Sequence, residues 1–226
     1  MNTWLSLLSY WPQWLSGVYL TLQLLIISLI IGFTLALLIM ACRLSPRWYL
    51  KAPAETFVFI FRGTPLLVQI FIIYYGSGQF NWIKDSFLWD VLNSANNCAI
   101  IALALNTAAY ASELFKGAVL AIPKGQLESC LALGMSQRLA FVRIILPCAL
   151  RQAIPAYSNE VIMILKSTTL ASTITLLDIM GMTQQVIANT YETIPCLVIA
   201  GVLYLVLNAI IVGIFRALEQ RLRVRV

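Results

Sequence analysis

Five charged side chains sit inside stretches otherwise apolar enough to cross a membrane: Arg62, Glu113, Arg151, Glu160 and Lys166. A charge at bilayer depth is expensive, so such residues line a cavity, pair with one another or meet whatever passes through. Glu160 follows Ser158 and Asn159, and Lys166 precedes Ser167 and Thr168. On a helix, Asn159, Met163 and Lys166 share one face, while Glu160 and Ser167 share another. The chemistry open to this set is recognition of a small polar solute, with Glu160 as counter-ion to a cationic side chain or α-amine. A structural pair of Glu160 with Arg151 or Lys166 is the competing reading. Arg62 is followed by Gly63-Thr64-Pro65. There glycine permits a break, threonine can cap a new helix and proline suits its first position. A half-helix starting inside a bundle would aim its positive dipole end at a carboxylate. Either the backbone around Thr64 meets a substrate carboxylate, or the segment is a plain kink with Arg62 near the interface. Glu113 and Lys116 are spaced for a local ion pair, and Arg151 can snorkel to the interface.

Other chemistries lack their residues. The chain has no histidine, and its five cysteines, Cys42, Cys98, Cys130, Cys148 and Cys196, form no CxxC pair. A zinc, haem or iron–sulfur site is therefore not expected, and no metal ligand is assigned. No GxxxxGK[ST] pattern occurs, so any ATP machinery belongs to another chain. No convergent nucleophile and base are visible, so no catalytic residue is assigned. Cys98 and Cys196 both fall near outer helix ends, where they are either a disulfide or two small buried residues.

The elements that carry these residues must be membrane helices. Hydrophobic residues make up 61% and charged ones 11% of 226 residues, whereas a soluble domain carries about 25% charged residues. A spanning helix needs roughly 20 mostly apolar residues. Five stretches qualify: 15–41, 54–76, 98–119, 150–169 and 195–217. The first ten residues carry no Lys or Arg, so no cleavable signal is expected there. Trp4, Trp11 and Trp14 read as an interfacial aromatic belt. Basic residues gather after the first span (Arg43, Arg47, Lys51), after the third (Lys116, Lys124, Arg138, Arg143) and after the fifth (Arg216, Arg221, Arg223, Arg225). The positive-inside rule then puts the N-terminus outside and the C-terminus in the cytoplasm. The net charge of +6 is spread over these loops rather than gathered on a soluble module, which argues against nucleic acid. Residues 178–191 are either a short outer helix or a loop.

The loop after the third span reads Glu128-Ser129-Cys130, three residues, Gly134, nine residues, then Ile144-Ile145-Leu146-Pro147. This resembles the EAA signature of permease subunits of ABC importers. The likeness continues through Arg62 to Gln69, Asn106 to Gly117, Ile122 to Gln126, Pro155 to Glu160 and Lys166-Ser167-Thr168. Together these are similar to the polar amino acid group of ABC permeases, and most of all to the arginine and histidine permease subunits. The resemblance implies an all-α integral membrane protein of the type I, MetI-like kind. It would be a single domain over residues 1–226, with five transmembrane helices and a coupling-helix loop at 120–147. It implies docking to an ATPase dimer, which uses ATP and Mg, through Glu128, Ser129, Cys130, Gly134, Leu146 and Pro147. It also implies a periplasmic binding protein, a second permease subunit (identical or sister), and a place in the bacterial inner membrane. The substrate pathway is expected at Thr64, Gln69, Asn159, Glu160, Lys166, Ser167 and Thr168. Arginine is the expected substrate, with histidine, lysine and glutamine as alternatives. The rival reading is an ion-gradient transporter that uses Glu160 and Lys166 as a proton relay.

Overall fold

The computed structural model describes residue 7 and residues 9–222, all of them helix or connection, with no strand among the described residues. Trp4, Arg223 and Arg225 lie outside the described residues. Helix α1 (Trp11–Leu44) has proline in its first turn and Arg43 in its last. Helices α2 (Trp48–Gly63) and α3 (Leu66–Phe71) meet at a bend of 107°, and α3 continues into a wide π turn, Ile72–Gly76. Two short turns, α4 (Asn81–Lys84) and α5 (Trp89–Leu92), lead into α6 (Ala95–Leu120). Helix α7 (Lys124–Ala132) precedes α8 (Gln137–Ile174), a single run of 38 residues. Helices α9 (Ile179–Thr190) and α10 (Thr193–Leu222) complete the chain. Four helices (α1, α6, α8, α10) are long and apolar enough to cross a membrane, and the α2–α3 pair passes the same test when its two bent halves are taken together as one span.

The break between α2 and α3 follows from sequence. The ring of Pro65 disfavours a helical conformation at the residue before it. Thr64 is accordingly extended, at φ −117° and ψ 144°. The expectation that Thr64 caps the second half-helix is corrected. Its hydroxyl instead donates back to the Ile60 carbonyl at 2.8 Å, and Pro65 stands at the N-cap. With the backbone extended at both residues, the hydroxyl is left beside the turn it has just completed.

Helix α6 is the centre of the bundle, with 72% of its apolar window buried against 6% for α10. Ala99, Ala102, Ala104, Ala108, Ala109 and Ala111 are fully buried along it. Small residues let helices approach closely where lipid offers no hydrophobic drive between them. Gly32 of α1 answers this surface, since a Cβ there would come within 2.8 Å of Thr107 Cγ2 and 3.0 Å of the Ala104 carbonyl.

Helix α8 starts at Gln137, so Ile144-Ile145-Leu146-Pro147 lie within it rather than in a loop. Pro147 is accommodated by the wide turn Phe141–Ile145, where the Leu146 N–H reaches the Phe141 carbonyl. Such a turn relieves the clash that proline otherwise brings to a helix interior. Residues 178–191 prove helical. Asp178 is the N-cap of α9, accepting from Gly181 N–H at 2.9 Å, and Tyr191 ends the helix at φ 59°. Asp178 is fully buried and also accepts from the Tyr204 hydroxyl at 3.1 Å. Trp14 is not an interfacial belt residue. It is 1% exposed and donates from Nε1 to Thr183 Oγ1 at 3.1 Å, because α9 folds back over the start of α1. Trp11 is 43% exposed. Cys98 and Cys196 are free, buried thiols.

Candidate substrate pocket and coupling surface

A pocket of about 190 Å³ opens where the α2–α3 break faces α6 and α8. Its polar lining is Thr64, Asn106, Tyr110, Glu160 and Ser167. Glu160 is 6% exposed, and among the described residues neither Arg151 nor Lys166 forms an ion pair with it. The cation acting on it electrostatically is Arg62. One helical turn before Glu160, Tyr157 packs edge-on against Phe33 at 5.7 Å, and Phe33 against Phe115 at 5.4 Å. These rings form an aromatic cluster, apolar apart from the Tyr157 hydroxyl, one turn of α8 from Glu160. In such surroundings a carboxylate is costly without a cation, and a cationic solute meets little competition from water.

The sequence-predicted residues divide. Thr64, Glu160 and Ser167 come together at the pocket. Gln69 stands behind it, bonded to the break and to Asn106. Asn159 lies on the other side of α8, in a separate cleft with Ser158, Arg216 and Glu219. Lys166 is exposed on that same side. Thr168 is fully buried, its hydroxyl donating to the Leu165 carbonyl at 2.7 Å. Asn106 and Tyr110 were missed. Both are polar in an apolar helix and, with Glu113, recur at helical spacing, which was the available signal.

Beside the pocket lies a charge network. The Arg43 side chain, 4% exposed, places Nη2 2.6 Å from Glu113 Oε2 and Nε 3.5 Å from Glu55 Oε1. Arg62 Nη1 is 3.4 Å from Glu113 Oε2, and Lys116 Nζ is 2.9 Å from Glu55 Oε1. The local Glu113–Lys116 pair expected from spacing does not form. Helix α2 brings Glu55 to Lys116, and the end of α1 brings Arg43 to Glu113. The Arg62 guanidinium also lies over the Tyr110 ring, 5.3 Å from its centroid, so the network touches the pocket wall.

At the far end of α6, α7 exposes Glu128 and Ser129 while Cys130 is buried. Gly134 takes φ +81° as the sequence requires. The Met135 N–H reaches the Cys130 carbonyl at 3.1 Å and the Gly134 N–H reaches that of Leu131 at 2.9 Å. This is a Schellman ending, with glycine at the left-handed position. Leu127, Leu131 and Leu133 are exposed, Leu133 by 83%. Leu146 and Pro147 are half-buried on α8.

Residues 28–224 match the profile of the family described as the inner membrane component of binding-protein-dependent transport systems. The chain belongs to that family, and so is the membrane-spanning, non-catalytic permease subunit of an ABC importer whose ATPase is a separate partner. It is 48% identical over 208 residues to the octopine transport system permease protein OccM of Rhizobium radiobacter, covering 92% of this chain and 85% of that one. It is 47% identical to the arginine ABC transporter permease protein ArtM of Haemophilus influenzae, covering 91% and 90%. It is 43% identical to the histidine/lysine/arginine/ornithine permease protein HisM of Escherichia coli K12, covering 91% and 87%. A crystal structure of an amino acid ABC transporter with histidines superposes with a TM-score of 0.88 at 29% identity, covering 98% and 99% of the two chains. The MetNI methionine transporter, at 17% identity and a TM-score of 0.78, shares the fold.

Proposed function

We propose that this chain moves cationic amino acids, arginine foremost, inward across the bacterial inner membrane as one half of a permease pair. The observation that carries the reading is Glu160, a buried carboxylate at the wall of a polar pocket that forms no ion pair among the described residues. The guanidinium or ammonium of the substrate supplies the missing charge, and Ser167 and Asn106 add hydrogen bonds. The extended backbone at Thr64 and Pro65 takes the α-carboxylate end. The names of relatives that carry arginine, histidine, lysine, ornithine and octopine fit this polarity.

Charge distribution and exposure support the rest of the cycle. The basic ends of α1, α6 and α10 face the cytoplasm, with the N-terminus outside. Asn159 and Lys166 lie exposed on α8, and lipid is a poor neighbour for either. That face meets the second permease subunit, an identical or sister chain, across the translocation path. Helix α7 docks on the ATPase through Glu128, Ser129 and its exposed leucines, with Leu146 and Pro147 bracing the return into α8. Closure of the ATPase dimer on ATP and Mg then rocks the two permeases between outward and inward openings. A periplasmic binding protein delivers substrate to the outward one. Substrate biases that cycle only by binding one state better than the other.

The substrate class is tested by competition for labelled arginine uptake in proteoliposomes holding the full transporter. Lysine and histidine should compete and glutamine should not. Glutamine competing as well as lysine would remove the cationic reading. The coupling surface makes a separate prediction. Gly134→Ala meets no neighbour within 4 Å, so its only penalty is the left-handed backbone, about 1–2 kcal/mol. The complex should assemble, yet its substrate-stimulated ATP hydrolysis should fall several-fold. A stimulated rate equal to wild type would show that the ending of α7 does not transmit motion.

A further inference from the structure

The amide of Gln69 is committed on both sides. Nε2 donates to the carbonyl of Phe61 at 2.8 Å, to the carbonyl of Thr64 at 3.1 Å and to Thr64 Oγ1 at 2.9 Å. Thr64 Oγ1 spends its own proton on Ile60 O, so it can only accept from Gln69. Three acceptors converge on one end of Gln69, and that end must be the nitrogen. Its Oε1 therefore points the other way, where Asn106 Nδ2 donates to it at 3.1 Å. The orientation of Asn106 is fixed in turn: its nitrogen faces Gln69, and Oδ1 occupies the opposite branch of the amide. That Oδ1 has no hydrogen-bond partner in the chain among the described residues, and Asn106 lines the pocket beside Glu160. Gln69 and Asn106 are each 7% exposed, so water competes little for these bonds.

We infer that Gln69 is a positioning residue that sets the polarity of the substrate pocket: it relays the carbonyl polarity of the α2–α3 break through Asn106, so that the pocket offers a second acceptor, Asn106 Oδ1, alongside the Glu160 carboxylate. The inference rests on the cationic-substrate reading and deepens it. A guanidinium or ammonium carries donors only and matches two acceptors. A neutral carbonyl group at the same place would meet acceptor against acceptor. Without Gln69, Asn106 is free to flip and present its N–H groups, which would repel a cation and welcome a carbonyl. The break between α2 and α3 thus has a role in selectivity as well as in shape.

The test is equilibrium binding of radiolabelled arginine and of citrulline, its neutral ureido analogue, to the purified permease–ATPase complex with no binding protein present. Wild type should prefer arginine. Gln69→Met should shrink the arginine-to-citrulline ratio by roughly tenfold, the scale of one hydrogen bond to a charged group. Asn106→Leu removes the acceptor without touching the break and should shrink the ratio similarly. The double variant should lose no more, because both act through one oxygen. If Gln69→Met fails to assemble, Asn106→Leu decides alone. Either variant weakening both ligands equally, with the ratio kept, would overturn the relay and leave Gln69 a structural clamp, the cationic pocket standing. A wild-type complex that does not distinguish the two ligands would overturn the cationic pocket and the relay together.

Discussion

Glu160→Gln should lower arginine transport, read as kcat/KM, by roughly a hundredfold, the cost of removing one charge from a buried pair. The effect on folding should be opposite or nil. The carboxylate has no ion pair among the described residues. A neutral amide of the same shape is cheaper to bury. Thermal unfolding of the purified complex should therefore stay level or rise while transport falls. That split separates a counter-ion from a structural salt bridge, whose loss would lower both. Arginine uptake unchanged in the variant would end the counter-ion role of Glu160.

Arg43→Leu should destabilise the complex by about 3 kcal/mol, the lower end for breaking a buried charge pair. The lower end applies because the two carboxylates it leaves, Glu55 and Glu113, have side chains 40% and 38% exposed, and water screens them in part. Arg43 reaches Glu113 through a hydrogen bond and Glu55 through charge alone, since its Nε makes no hydrogen bond there. Arg43→Lys should recover only part of the loss, because a single ammonium on a flexible stem cannot serve both carboxylates as a planar guanidinium does. The measurement is the unfolding midpoint of the detergent-solubilised complex. Adding Glu113→Gln to Arg43→Leu should restore some of the midpoint, by removing the carboxylate left closest to the hole. A midpoint untouched by Arg43→Leu would mean the network is held by Arg62 and Lys116 and Arg43 is dispensable.

The parts of the architecture legible in sequence are those whose causes are local. Apolar length marked the spans, and the Gly63-Thr64-Pro65 tripeptide marked the break, because glycine and proline act on their own backbone. Gly134 was readable for the same reason. What could not be read depended on distant partners. Whether 178–191 was a helix hinged on Asp178, whose carboxylate accepts from Tyr204 of α10 while Thr21 of α1 accepts from the next residue's N–H, that of Ile179. Trp14 looked interfacial because nothing nearby in sequence announces that α9 covers it. Glu113 and Lys116 looked paired because spacing on one helix says nothing of Glu55 and Arg43 arriving from elsewhere. Asn159, Lys166 and Thr168 stand in the same two short polar runs as Glu160 and Ser167, yet Asn159 and Lys166 are exposed on another side of α8 and Thr168 is buried. Asn106 was hidden by composition: one of three asparagines in an alanine-rich helix reads as filler until Gln69 is seen to hold it.

The most direct test of the account is arginine uptake into proteoliposomes holding this chain with its ATPase, its second permease subunit and its binding protein. ATP would be supplied only on the side facing the ATPase, with any proton or sodium gradient collapsed by ionophores. The account predicts uptake that requires ATP, is lost without the binding protein, and falls steeply in Glu160→Gln. Uptake that needs no ATP but vanishes when the ion gradient is collapsed would contradict it, and would turn Glu160 and Lys166 into candidates for a proton relay.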